Sequence, residues 1–212
     1  MLVAIPLFPR FTALDAVGPY EVLQRIPDID VRFIGHQRGE VRSDNGMLGM
    51  TVDSTFAELT RPDVVIFPGG VGARALLNDD EVLNWVRVAH QSSLFTTSVG
   101  TGSLVLAAAG LLNGLTATTH WRARELLNSL GATYLPVRIV EHKSARILTA
   151  AGVSSGIDMA LRLVELLVGT HAAEASQLMI EYDPQPPFDS GSPATASAEA
   201  WLLAWEFYQQ RP

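Results

Sequence analysis

At 212 residues, with 48% hydrophobic and 17% charged side chains, the chain carries enough apolar material for one sizeable core and is excluded from the disordered and fibrous classes. A formal net charge of −7 argues against broad attraction to phosphate backbones, so no nucleic-acid partner is expected. The absence of cysteine excludes disulfides, thiolate metal sites and a thiol nucleophile.

The N-terminus MLVAIPLFPR has neither the basic start nor the long apolar run of a signal peptide. No uninterrupted apolar stretch reaches the ~18 residues of a membrane span. A cytoplasmic chain with no membrane partner is the expectation.

Short β-branched runs bounded by Gly, Pro or Asp occur at residues 2–7, 31–34, 64–67 and 95–99, and most lack the alternation of a one-faced strand, as buried parallel strands do. Between them, apolar residues recur at helical spacing: Leu14, Val17, Val22 and Ile26, then Val82, Trp85, Val86 and Ala89, then Leu104, Val105 and Ala108. Residues 121–130 read as a helix, 139–141 and 147–149 as a short hairpin, and 156–168 and 172–180 as closing helices. Alternating strand and helix predicts an α/β fold with a doubly wound, mostly parallel sheet and helices on both faces. Its ligand site should lie beyond the carboxyl ends of the strands.

This domain is expected to span residues 1–180. The stretch EYDPQPPFDSGSPATAS, with four prolines, then reads as an extended arm or tether. AEAWLLAWEFYQQ follows as a short amphipathic helix, so residues 181–212 form an appendage. Trp201, Leu202, Trp205 and Phe207 on that helix are expected to pack on the domain or on a dimer partner.

Two strand-to-helix junctions could carry chemistry. In Phe67-Pro68-Gly69-Gly70-Val71-Gly72, unpaired backbone N–H groups can converge on an anion. The same glycines also suit a tight turn that needs left-handed dihedrals. In Thr96-Thr97-Ser98-Val99-Gly100-Thr101-Gly102-Ser103 a buried strand turns abruptly into an Ala/Leu-rich helix, the geometry of a nucleophile elbow. Its central residue, Gly100, tolerates the strained backbone but supplies no reacting atom. Ser98 lies within the strand, and Thr101 and Ser103 fall where hydroxyls cap a helix; none replaces a nucleophile at the elbow. Gly100-Thr101-Gly102 also departs from a dinucleotide fingerprint, because Val105 stands where the third glycine belongs.

Asp15, flanked by apolar residues, can be read as a buried carboxyl with a raised pKa that shuttles protons, or as a residue favoured by a helix N-terminus. The five histidines show no metal-ligand spacing, and His120 reads as a loop-to-helix anchor.

The blocks LFPRFTALDAVGPYEVL, DVVIFPGGVG, TTSVGTGSLVLAAAGLLNG, ATTHW, AAGVSSGIDMALRLVE and QLMIEYDPQPPFDSGSP resemble isonitrile (isocyanide) hydratases of the ThiJ/PfpI superfamily over almost the whole chain, to about residue 193. ATTHW and EYDPQPPF are the more specific blocks. The resemblance implies a flavodoxin-like, class I glutamine-amidotransferase-like homodimer that hydrates an isonitrile-like small molecule to an N-substituted formamide, with no metal or organic cofactor. In the implied mechanism a cysteine thiolate attacks the isonitrile carbon, an aspartate placed like Asp15 handles the proton, and water resolves the thioimidate. The resemblance further implies that Thr101 hydrogen-bonds in the site, that Gly70 and Val71 offer N–H groups near the reacting atom, and that Trp121, Gly152 and Val153 wall the pocket. The chain departs from the family at one decisive position: Gly100 stands where the cysteine belongs, while Ser98, Val99, Thr101 and Gly102 fit. Negligible hydratase activity is therefore expected.

Two other readings have sequence support. The fold also resembles sensing domains of AraC-type transcription regulators, although the expected basic recognition helix is not among these residues. A protease or amidase of the wider superfamily would need a nucleophile at Gly100 and usually a histidine where Thr101 stands.

Overall fold

The structure, a computed structural model, describes residues 1–209; Gln210 of the expected terminal helix lies outside them. The apolar runs become the strands β1 (Leu2–Pro6), β2 (Asp30–Gly35), β6 (Val64–Phe67) and β7 (Phe95–Val99); β1, β6 and β7 are largely buried on both faces, whereas β2 is buried only at its end. All four residues of β6 are buried, which explains why its sequence does not alternate. Five short strands were not legible as such: β3 (Gly39–Arg42) and β4 (Gly49–Val52) form a separate two-stranded hairpin, β5 (Ser54–Thr55) edges the main sheet, and β8 (Thr116–Ala117) and β9 (Thr133–Tyr134) make a second small sheet. β10 (Ile139–His142) pairs antiparallel with β11 (Ile147–Ala150), the expected hairpin.

The helices are α1 (Ala13–Leu23), α2 (Asp80–Ser92), α3 (Gly102–Ala108), α4 (Arg124–Ser129), α5 (Ser155–Leu167), α6 (Thr170–Met179) and α7 (Ala198–Gln209). α2 shows why such segments are helical. Asp79 caps it by accepting from the Val82 N–H at 3.1 Å, Asp80 and Glu81 sit in its first turn, and Val82, Val86 and Ala89 are buried along one stripe. The 121–130 segment starts as a 3-10 turn (Trp121–Ala123) before α4.

The main sheet has the order β10-β11-β7-β6-β1-β2-β5, parallel except for β10. Helices cover both of its faces: α1, α5 and α6 pack together, and α2, α3 and α4 form the other group. The chain leaves β1 toward β2 on one side and later returns as β6 on the other. The crevice at the carboxyl ends of β1 and β6 is thus the topological switch point. A second compact unit starts at Glu181. It has no regular structure until α7, none of whose residues is buried. No helix among the described residues is long and apolar enough to cross a membrane.

Candidate functional site

Four neighbouring parallel strands, β11, β7, β6 and β1, end on the same side of the sheet. The segments that leave them hold the candidate residues: Asp15 after β1, Gly69–Val71 after β6, Gly100 and Thr101 after β7, and Gly152 and Val153 after β11.

The segment leading to Asp15 is clamped on two sides. Phe11 bridges both Ser43 and Gly70, the Thr12 N–H donates to the Gly69 carbonyl at 2.8 Å, and the Arg10 N–H donates to the Arg42 carbonyl at 2.9 Å. Asp15 lies in the first turn of α1 and is only 2% exposed. Its Oδ2 accepts from the Gly69 N–H at 2.8 Å, while Oδ1 is buried with no hydrogen-bond partner among the described residues. Burial raises this carboxyl from 3.8 to about 7, against the Gly69 N–H, which lowers it, and with the Asp44 charge, which raises it further. The two readings of Asp15 thus merge, since a first-turn helix residue is also a buried acid that exchanges its proton near neutrality.

At the elbow, Gly100 has φ +53°, in the left-handed region. Its N–H donates to the Ala150 carbonyl at 3.0 Å, and its carbonyl accepts from the Ser103 hydroxyl at 2.9 Å and the Thr119 hydroxyl at 3.0 Å. A Cβ at this position would lie 2.9 Å from Asp15 Oδ2, and the next neighbour, the Ala151 carbonyl oxygen, is 3.9 Å away. Any side chain at residue 100 therefore points at Asp15. Gly102 differs: a Cβ there would sit 2.1 Å from the Phe67 carbonyl oxygen, so close backbone approach demands glycine. At Gly100 the dihedral favours glycine by roughly 1–2 kcal/mol, and the one close neighbour of a Cβ is the carboxyl end of the Asp15 side chain, which would have to shift. Arg10, Asp28, Arg146 and Glu181 also take positive φ in this chain.

Two expectations are corrected here. The Gly70 N–H does not face a reacting atom; it donates to Thr101 Oγ1 at 2.9 Å, and the same hydroxyl donates back to the Gly70 carbonyl at 3.0 Å. Thr101 stands at the N-cap of α3 but makes no capping bond with its side chain, because that hydroxyl already bridges the two loops. Val71 opens the 3-10 helix Val71–Asn78, where the first N–H groups lack intrahelical acceptors. Val71, Thr101, Trp121, Gly152 and Val153 are all partly exposed, whereas Gly100 and Asp15 lie beneath the surface. Ser98 is fully buried, with its hydroxyl unpartnered among the described residues.

His120 caps the Trp121–Ala123 turn, its Nδ1 accepting from the Arg122 N–H at 3.4 Å. Burial, followed by the charges of Arg122 and Arg74, pushes its ring down to about 4, so it is neutral at physiological pH and serves as an anchor. Two contributors, Thr119 and Asp44, were missed from sequence, and Ser103 was read only as a helix cap. Thr119 and Ser103 hold the Gly100 carbonyl, and Thr119 could have been found in the ATTHW block. Asp44 carried no signal, because SDNG reads as an ordinary polar turn.

A doubly wound sheet with an elbow, a glycine loop and a buried acid at its switch point defines the class, and the chain belongs to the DJ-1/PfpI family, whose model matches residues 1–166. It is 44% identical over 190 residues to an isonitrile hydratase from Pseudomonas putida, covering 90% of this chain and 82% of that one. It is similar to the crystal structure of a ThiJ/PfpI family protein from Pseudomonas syringae, with TM-score 0.92 and 34% identity over 99% of this chain and 86% of that one. It is 28% identical over 173 residues to the HTH-type transcriptional regulator CdhR of Pseudomonas aeruginosa, covering 79% of this chain and 51% of that protein.

Proposed function

We propose that the chain is an isonitrile-hydratase-type protein whose pocket takes an isonitrile-like small molecule but whose nucleophile position, Gly100, leaves it without appreciable turnover. One observation carries this reading: a side chain at residue 100 would meet Asp15 Oδ2 at 2.9 Å from its Cβ. The direction supports the reading: 2.9 Å is too close for a carbon–oxygen contact, so the Asp15 carboxyl would have to shift slightly, and a side chain at residue 100 would extend toward the proposed proton carrier. The 44% identity to the Pseudomonas putida isonitrile hydratase supports the substrate class.

With a cysteine in place of Gly100, its thiolate would attack the isonitrile carbon, Asp15 would deliver the proton, and water would displace the thiolate from the thioimidate to give the formamide. Thr101 fixes the glycine loop, and Val71, Trp121, Gly152 and Val153 border the pocket. The protein is proposed to work in the cytoplasm as a homodimer, without metal or organic cofactor.

The test compares formamide formation from a simple aryl or alkyl isonitrile by the native chain and by Gly100→Cys. Turnover by Gly100→Cys alone supports the reading. Turnover by neither variant removes the hydratase reading for these substrates, and turnover by both removes the requirement for a thiol.

A second reading, a non-catalytic sensing module, is favoured by the similarity to half of CdhR. Saturable binding of an isonitrile or formamide to the native chain, with no turnover in Gly100→Cys, would support it.

A further inference from the structure

The β3–β4 hairpin stands outside the main sheet, yet it is fastened to the segment that carries the acid. The Arg10 N–H donates to the Arg42 carbonyl at 2.9 Å, the Asp44 N–H donates to the Phe11 carbonyl at 2.9 Å, and Phe11 bridges Ser43. These contacts set the Asp44 carboxylate, itself partly buried, beside Thr12, whose hydroxyl donates to Asp44 Oδ2 at 3.2 Å. Thr12 is the N-cap residue of α1 and makes no side-chain cap bond to its own helix. Its hydroxyl is turned outward to the hairpin, and Asp15 follows three residues later in the first turn.

We propose that Asp44 is a positioning residue for Asp15: its carboxylate, anchored on the Thr12 hydroxyl, disfavours a second negative charge beside the elbow and ties the start of α1 to the hairpin. A like charge near a carboxyl disfavours its ionisation, and the Asp44 charge acts on Asp15 in the raising direction, behind the larger effect of burial. The other charged groups around α1 have partners or are exposed. On α1 itself Glu21 pairs with Arg25; on α5 Asp158 pairs with Arg138, and Arg162 pairs with Glu141 and Glu165; on α6 His171 pairs with Glu174. In the preceding loop Arg10 is exposed, and on the hairpin Arg42 pairs with Glu40. Asp44 is the ionisable side chain whose charge bears on Asp15.

This inference rests on the acid–base role proposed for Asp15, but its test needs no turnover. The Asp15 carboxyl carbon is followed by NMR through a pH titration in the native chain, Asp44→Asn, Thr12→Val and Asp28→Asn, with Asp15→Asn identifying the signal. Asp44→Asn keeps an acceptor for Thr12 and removes only the charge. It should lower the Asp15 midpoint, by less than burial raises it. Thr12→Val keeps the charge and should move the midpoint less. Asp28→Asn, altered just before β2 at the opposite end of the sheet, should leave it in place.

An unchanged midpoint in a folded Asp44→Asn protein overturns the proposal, as does an equal shift in Asp28→Asn, which would assign the effect to net charge. A Gly100→Cys variant that hydrates isonitriles while Asp15 ignores Asp44 would sink this inference alone. A shift in Asp44→Asn with no hydration by Gly100→Cys would leave this inference standing and remove the hydratase reading.

Discussion

Replacing Asp15 with asparagine should shift stability in favour of the variant by an amount that grows with pH. In the folded chain the carboxyl titrates at about 7 because it is buried, against an ordinary 3.8, which the unfolded chain is taken to have. Between these values the folded state holds a proton that the unfolded state has released, so stability falls as pH rises and levels off above about 7. The full difference corresponds to about 4 kcal/mol, of which about 3 kcal/mol falls between pH 5 and 8.5. Asparagine keeps an oxygen for the Gly69 N–H bond to Oδ2 and cannot ionise, so this dependence vanishes. Other titrating groups are common to both proteins and cancel in the comparison. Urea unfolding of the native chain and Asp15→Asn across that range measures the gap. A gap constant with pH, or one that widens toward acid, would refute the claim that Asp15 is buried as a neutral acid.

Gly102→Ala should destabilise by roughly 2 kcal/mol or more, since its Cβ would sit 2.1 Å from the Phe67 carbonyl oxygen. Gly152→Ala, with no neighbour within 4 Å, should stay within about 0.5 kcal/mol; thermal melts of the two distinguish contact from conformation. Thr119→Val removes the 3.0 Å hydrogen bond to the Gly100 carbonyl. It should cost about 1 kcal/mol, read by denaturant unfolding, and should speed hydrogen exchange at the Gly100 amide.

Much of the fold was legible because its central strands are buried on both faces. LVAIP, VVIF and FTTSV need no partner to declare themselves, since unbroken apolar or β-branched runs have few other uses in a chain that also shows helical spacing. The β3–β4 hairpin escaped for the converse reason. GEVR and GMTV hold a single buried residue between them, Val52, so their pairing comes from backbone register and leaves little hydrophobic pattern. The strand-to-helix junctions after β6 and β7 fall where the sequence pattern put them, but the path of the hydroxyls between them was not legible. A threonine at an N-cap position ordinarily bonds to its own helix, and only the close approach of β6 and β7 turns Thr101 toward Gly70. Asp44 was hidden because its role depends on a hairpin seated beside a helix start more than twenty residues earlier, a juxtaposition with no local signature.

The backbone of the elbow is held by the Ala150 carbonyl and by the hydroxyls of Ser103 and Thr119. None of these bonds involves a side chain at residue 100, and the nearest atom to its missing Cβ is the carboxyl of Asp15. Residue 100 is therefore a socket that the fold maintains whether or not anything is plugged into it. Filling it would leave those three backbone hydrogen bonds in place and would ask only the left-handed dihedral and the Asp15 carboxyl to give way.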